Sequence, residues 1–220
     1  APFPISRPSV HTRNPSDAAV VIGRFQPFHD GHLSLVERAL EAAPRVVVVI
    51  GSAFQARSPK HPFTWQERAE MIRLALPEAQ RPRLHCVPVR DRFDEIRWLA
   101  DVHHAVADAL GSTEAAPAPR LTLVGHARDA TRDYLDAFPA WTLLRADEVP
   151  VRRTSRMRDA LFASPDEALA TLAGELPPRT IDFLRAWTHG PHFEALAQEA
   201  ALLRAYESSW ASAPYPPVLV

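Results

Sequence analysis

Three short stretches of this chain are almost unbroken apolar runs that lead into a glycine: AAVVIG at 18–23, RVVVVIGS at 45–52 and LTLVGHA at 121–127. A strand that is apolar throughout, rather than at alternate positions, has to be covered on both faces, and that situation arises in parallel sheets flanked by helices. The stretches between them supply the helices. HLSLVERALEAA (32–43) places Leu33, Val36, Leu40 and Ala43 at helical spacing before Pro44 stops it. FTWQERAEMIRLAL (63–76) opens on a capping box, with Thr64 as N-cap and Glu67 three residues later. RLHCVPVRD (83–91) reads as a strand that Pro88 makes irregular or edge-like, and FDEIRWLADVHHAVADAL (93–110) reads as a helix. The polar connector GSTEAAPAPR (111–120) leads to the LTLVGHA strand, and WTLLRADEV (141–149) reads as a fifth strand. The expected fold class is therefore α/β, a Rossmann-like five-stranded parallel sheet with right-handed crossovers and helices on both faces.

Four prolines and no hydrophobic periodicity mark residues 1–17 as a flexible arm, ahead of a Rossmann-like domain at 18–163. Residues 164–212 read as a helical C-terminal annex and 213–220 as a linker. A chain of 220 residues, 46% hydrophobic, is long enough for one core with such an annex. Its formal charge of −1 speaks against nucleic acid as a partner of the whole chain, so any basic patch is local. Absence of a signal-type segment or an 18-residue apolar run predicts no membrane association, and the lone Cys86 fits a reducing, cytoplasmic compartment.

GRFQPFHDGH (23–32) holds two of the chain's seven glycines and two of its ten histidines. It follows the first strand and leads into the first helix, where free N–H groups and the positive helix end attract an anion. Neither a G-K-[ST] phosphate loop nor a G-x-G-x-x-G turn is present. His29 and His32 would need further ligands to hold zinc, and no Cys or Glu cluster accompanies them. The strand, glycine, two-histidine and helix context points to a phosphate site.

The same residues resemble the G-x-F-x-P-x-H-x-G-H signature of the nucleotidylyltransferase superfamily, matching at Gly23, Phe25, Pro27, His29, Gly31 and His32. VRRTSRMRDALF (151–162) is similar to that family's I-S-x-T-x-x-R segment, with Ser155 in the threonine position, Arg158 matching the arginine, and Arg153 where serine is common. Ser155 reads as an N-cap with Arg158 three residues on. IGSAFQARSPKHPFTWQER (50–68), VPVRD (87–91) with Trp98 beyond it, and LVGHARDATRDYLDAFPAW (123–141) resemble archaeal-type nicotinamide-mononucleotide adenylyltransferases. The likeness is greatest to the amino-terminal half of bacterial proteins that join this activity to a Nudix hydrolase. It implies a covalent Nudix domain in the full-length protein, with this chain either cut short before it or a natural stand-alone homologue, and carrying no hydrolase activity in either case.

The resemblance implies the following roles. Gly23, Arg24, Phe25, His29, Gly31 and His32 would bind ATP from the first motif; Gly125, His126, Arg128 and Asp129 would do so from the fourth strand, and Ser155 and Arg158 from the second motif. His29, His32 and Arg158 would be catalytic. Phe25, Gln26, Asp91 and Trp98 would receive nicotinamide mononucleotide, although Trp98 reads equally well as a core residue of its helix. Arg57 and Lys60 lie in a polar loop that could close over phosphate. Mg²⁺ would be carried on the ATP phosphates, with no protein-held metal. Alternatives are nucleotidyl transfer to nicotinate mononucleotide or phosphopantetheine, or a non-catalytic ATP- or NAD-sensing module. The annex helices could also form a homo-oligomer interface.

Overall fold

A computed structural model describes residues 16–113, 117–126, 137–147 and 149–211. Five strands, β1 (Ala18–Gly23), β2 (Val46–Ile50), β3 (Leu84–Pro88), β4 (Leu121–His126) and β5 (Thr142–Ala146), form one parallel sheet. The strand order is β3-β2-β1-β4-β5. Pro88 thus ends the edge strand β3, where its missing N–H costs no ladder bond.

Helices α1 (Asp30–Ala42), α2 (Trp65–Ala75) and α3 (Glu95–Leu110) connect the first four strands. The capping box at the start of α2 is formed: Thr64 Oγ1 accepts from Glu67 N, and the Glu67 carboxylate accepts from Thr64 N at 2.8 Å. Odd and even positions of β1 and β2 face opposite cores. Ala19, Val21, Val46 and Val48 pack against α1 and α2, whereas Val20, Val47 and Val49 pack against Val102 and Val106 of α3. Because crossovers are right-handed, α3 has to take the opposite face when the chain doubles back from β3 past β2 and β1 to start β4.

Among the described residues four helices follow β5: α4 (Thr154–Ala163), α5 (Pro165–Thr171), α6 (Pro178–Thr188) and α7 (Phe193–Ala211). They share the α1/α2 core rather than building their own, since Leu161, Leu169, Leu184 and Trp187 join Phe63 and Met71 in one cluster. Among the described residues, no helix is long and apolar enough to cross a membrane. The arm and linker expected at the two ends fall almost wholly outside the described residues.

Candidate active site

The strand order reverses between β1 and β4, so their carboxyl ends diverge and leave the crevice in which open parallel sheets bind ligands. A cleft of about 590 Å³ opens there, bounded by the exits of β1 and β2 and by the first turn of α1. Gly23 ends β1 because the Phe25 ring lies against it: a Cβ at position 23 would sit 2.7 Å from Phe25 Cζ. Phe25 itself has φ 53°, a left-handed conformation rare without glycine, and folds its ring back beneath the motif, 1% exposed.

On that ring rest the histidines. The Phe25 and His32 rings meet edge to face at 4.9 Å, and the His29 and His32 rings stack with centroids 3.6 Å apart. His29 is the N-cap of α1, its Nδ1 accepting from His32 N at 3.2 Å. A nitrogen that accepts carries no proton, so the His29 proton sits on Nε2. Gly31 leaves room for the His29 ring, whose Cε1 and Nδ1 would both lie 3.1 Å from any Cβ there. From the end of β4, His126 Nε2 donates to the Gly31 carbonyl at 3.0 Å, so this ring also carries its proton on Nε2.

Burial keeps the His29 and His32 imidazoles neutral. Desolvation, with His126 nearby, lowers the His29 pKa to about 4. His32 is pushed well below the ordinary histidine range by burial and by the two neighbouring rings. The Nδ1 atoms of His32 and His126 are both buried without a hydrogen-bond partner. Such atoms are costly unless something else engages them.

Across the cleft, Thr154 begins α4. The helix starts earlier than the local chemistry suggests: Arg153 is the N-cap and makes no side-chain cap bond, so Ser155 lies inside the first turn and is not the cap. Burial of Met157, Leu161 and Phe162 sets the helix register here, overriding the cap preference of serine. Arg158, on the next turn, donates to the Gln26 carbonyl at 2.7 Å and so sits beside the motif. Its guanidinium pKa is lowered by burial.

At the other end of the cleft, Asp91 and Trp98 face the β2 exit. Asp91 Oδ1 accepts from Ser52 N at 3.0 Å and Oδ2 from Gln55 Nε2 at 2.8 Å. Trp98 lines the cleft and also meets Phe138 edge to face at 6.3 Å, so it serves the core and the cavity together.

The structure thus gathers Gly23, Arg24, Phe25, His29, His32 and His126 around one cavity, with Asp91 and Trp98 at its far end. Gln26 lines it too, but its side-chain amide is committed to Phe63, donating to the Phe63 carbonyl and accepting from Phe63 N. Gly125 is buried inside β4. Arg128 and Asp129 lie outside the described residues. Arg57 is held by a bidentate pair with Glu67, 2.6 and 2.9 Å, and braces its own loop. Residues of the cleft unforeseen from the pattern are Ser52 and Thr154, and His61 lines a smaller adjoining pocket that also includes Ser52. Ser52 was marked by its place after Gly51, equivalent to that of Arg24 after Gly23. His61 has a buried, partnerless Nδ1 and a pKa lowered by burial, then by Lys60, Arg24 and Arg158. Among the described residues no three His, Cys, Asp or Glu side chains gather as a metal site.

Comparisons with known proteins agree with this geometry. The cytidylyltransferase-like family matches residues 20–109. The nicotinamide-nucleotide adenylyltransferase of Methanolobus tindarius is 42% identical over 84 residues, 38% of this chain and 48% of that protein. A bifunctional NMN adenylyltransferase/ADP ribose pyrophosphatase from Francisella tularensis, solved with AMP and a manganese ion, shares the fold with a TM-score of 0.75 at 24% identity. The match covers 92% of this chain and 58% of that one, so the chain spans little more than half of the Francisella protein. The nicotinamide/nicotinic acid mononucleotide adenylyltransferase of Acinetobacter baylyi is 30% identical over 194 residues, 88% of this chain and 96% of that protein. On that extent of likeness, this chain belongs to the nicotinamide/nicotinic acid mononucleotide adenylyltransferase family.

Proposed function

We propose that the protein transfers the adenylyl group of Mg²⁺-ATP to nicotinamide mononucleotide, giving NAD and pyrophosphate. The observation that carries this reading is the placing of His29, His32 and Thr154 around one switch-point cleft whose far end is formed by Asp91 and Trp98. One end suits a triphosphate and the other a nucleotide base.

The acceptor's phosphate has a second pKa of about 6, so at neutral pH it is mostly dianionic and needs no general base. One of its oxygens attacks the α-phosphorus of ATP. As that O–P bond forms, the bond from the α-phosphorus to the bridging oxygen breaks, and pyrophosphate leaves with the electron pair. Catalysis consists of alignment and of stabilising charge on the α-phosphate oxygens and the leaving group. His29, with its proton on Nε2, and His32 serve as neutral donors to the triphosphate, and the partnerless His32 Nδ1 marks hydrogen-bonding capacity that the ligand-free protein leaves unused. Arg158 and the uncapped first turn of α4 at Thr154 and Ser155 hold the leaving pyrophosphate. Gly23, Arg24 and Gly31 approach the phosphates through the backbone, and Gly125 and His126 border the adenylate. Asp91 and Trp98 take the nicotinamide ribose and ring, with Phe25 and Gln26 shaping the wall beneath. Mg²⁺ enters with the nucleotide as part of the substrate, in keeping with its reluctance to shed water.

The same resemblance carries a proposed division at about residue 163 between the nucleotide-binding unit and the helices after it. It also carries a proposed Nudix domain in the full-length protein. The reading of the site is tested by incubating the protein with ATP, Mg²⁺ and a panel of acceptors (nicotinamide mononucleotide, nicotinate mononucleotide, phosphopantetheine) while measuring pyrophosphate. Pyrophosphate with nicotinamide mononucleotide and stoichiometric NAD is expected. Release only with phosphopantetheine, or with none of the acceptors, rejects the proposal.

A further inference from the structure

Arg68 heads the fully buried side chains by volume, at 1% exposed, and it is a cation. It rises from α2 beneath the cleft and ends in a fork. Nη1 donates to the Arg24 carbonyl at 2.7 Å and the Gly51 carbonyl at 2.8 Å, Nη2 to the Ser52 carbonyl at 3.2 Å, and Nε to the Thr64 carbonyl at 3.2 Å. Among the described residues no carboxylate lies within ion-pair distance of it; carbonyl dipoles alone receive its protons. Burial lowers its pKa to about 10 against the pull of Asp91 and Glu67, so it stays charged at neutral pH.

A buried cation is an expensive way to fill a core, and a hydrophobic side chain of similar volume would fill the same space at lower cost. What the guanidinium does that no hydrocarbon can is tie two separate turns together. Arg24 leaves β1 and Ser52 leaves β2, and both line the cleft from different strands. Each turn contains a non-glycine residue in the left-handed region, Phe25 at φ 53° and Ser52 at φ 49°. Such conformations persist only where surrounding bonds hold them, and they concentrate at functional sites. One rigid fork spanning both exits fixes their separation as well as their direction.

We infer that Arg68 is a positioning residue for adenylyl transfer, locking the β1 and β2 exit turns at the spacing that sets the two substrates in line. The inference rests on the proposed reaction. In-line attack requires the reacting atoms to approach to about 3–3.5 Å before the bond forms, so a slackened turn lowers the rate more than it lowers binding. Lysine keeps the charge but offers no planar fork to span the carbonyls.

The test uses Arg68→Lys and Arg68→Gln in the full chain. Thermal melting is followed in parallel with steady-state NAD formation well below the melting transition, varying ATP and nicotinamide mononucleotide separately. The expected result is that the folded variants lose fivefold or more in kcat, Gln more than Lys, with each KM within threefold of wild type. A smaller loss of kcat in a folded variant, or a change confined to KM, overturns the role. Recovery of neither variant as folded protein assigns Arg68 to folding alone and also overturns it. A wild type that forms no NAD rejects the reading of the site itself, whereas an active wild type with equally active variants rejects only the role of Arg68.

Discussion

The His29 and His32 rings stack with centroids 3.6 Å apart and planes 17° from parallel. Two imidazoles so close cannot both be charged without strong repulsion, and burial favours the neutral form of each. The unfolded chain has no such constraint.

Stability should therefore depend on pH in a defined direction. The folded pKa of His29, about 4, lies below its unfolded value of 6.5, so the folded state binds fewer protons between them. Its contribution is fully present above pH 6.5 and is lost as the pH falls from there toward 4. The shift corresponds to about 3 kcal/mol, with His32 acting in the same direction. Urea unfolding of the ligand-free protein at pH 8, 6 and 5 checks this. His29→Asn keeps a good N-cap for α1 and removes the titration, so its pH slope should be shallower.

Binding of a polyphosphate should reverse part of that shift. An anion beside the ring favours its charged form and so raises the His29 pKa from about 4 back toward the ordinary histidine range. Titration of ATP calorimetrically at pH 6 in buffers of different ionisation enthalpy should reveal fractional proton uptake, declining to none at pH 8. Uptake of zero at both pH values would place the triphosphate away from these rings.

His32→Ala should lower kcat by about 10²–10³-fold, as expected for removing one preorganised donor to developing charge. The substitution also removes a ring packed on His29 and Phe25, so the melting temperature should fall, with the protein still folded at the assay temperature. Paired melting curves and NAD-formation kinetics separate the two effects.

Gly23→Ala forces a methyl group to within 2.7 Å of Phe25 Cζ and 2.9 Å of Cε1. Overpacking of this kind costs about 1–3 kcal/mol. Because the His32 ring rests on that same Phe25 ring, kcat should fall along with the unfolding midpoint. A stability loss with full activity would show that the ring yields without disturbing the histidine.

Trp98→Ala should raise the KM for nicotinamide mononucleotide by about 3- to 30-fold, the worth of one cationic-ring contact, while the KM for ATP stays constant. An unchanged KM would leave Trp98 with its packing on Phe138 as its only role.

Much of this site is written locally. The motif 23–32 holds its glycines, its N-cap histidine and its stacked partner within ten residues, and the cap bond and the stack between His29 and His32 both span one turn. The Thr64 and Glu67 capping box is legible for the same reason, being a bond across three residues. Ser155 shows the limit of such reading: its cap preference was real, but buried contacts of Met157 and Leu161 with distant elements chose where α4 begins.

The sequence by itself determined the strands, the helices between them, the two-histidine turn at 23–32 and the residue types placed in it, because these depend on periodicity and on bonds between near neighbours. Only the tertiary structure decided that His126 reaches Gly31 across 95 residues, that Asp91 and Trp98 close the same cleft, and that Arg68 ties the exits of β1 and β2. Those relations follow from the order β3-β2-β1-β4-β5. That order is set by which buried faces can be covered together, and no local pattern carries it.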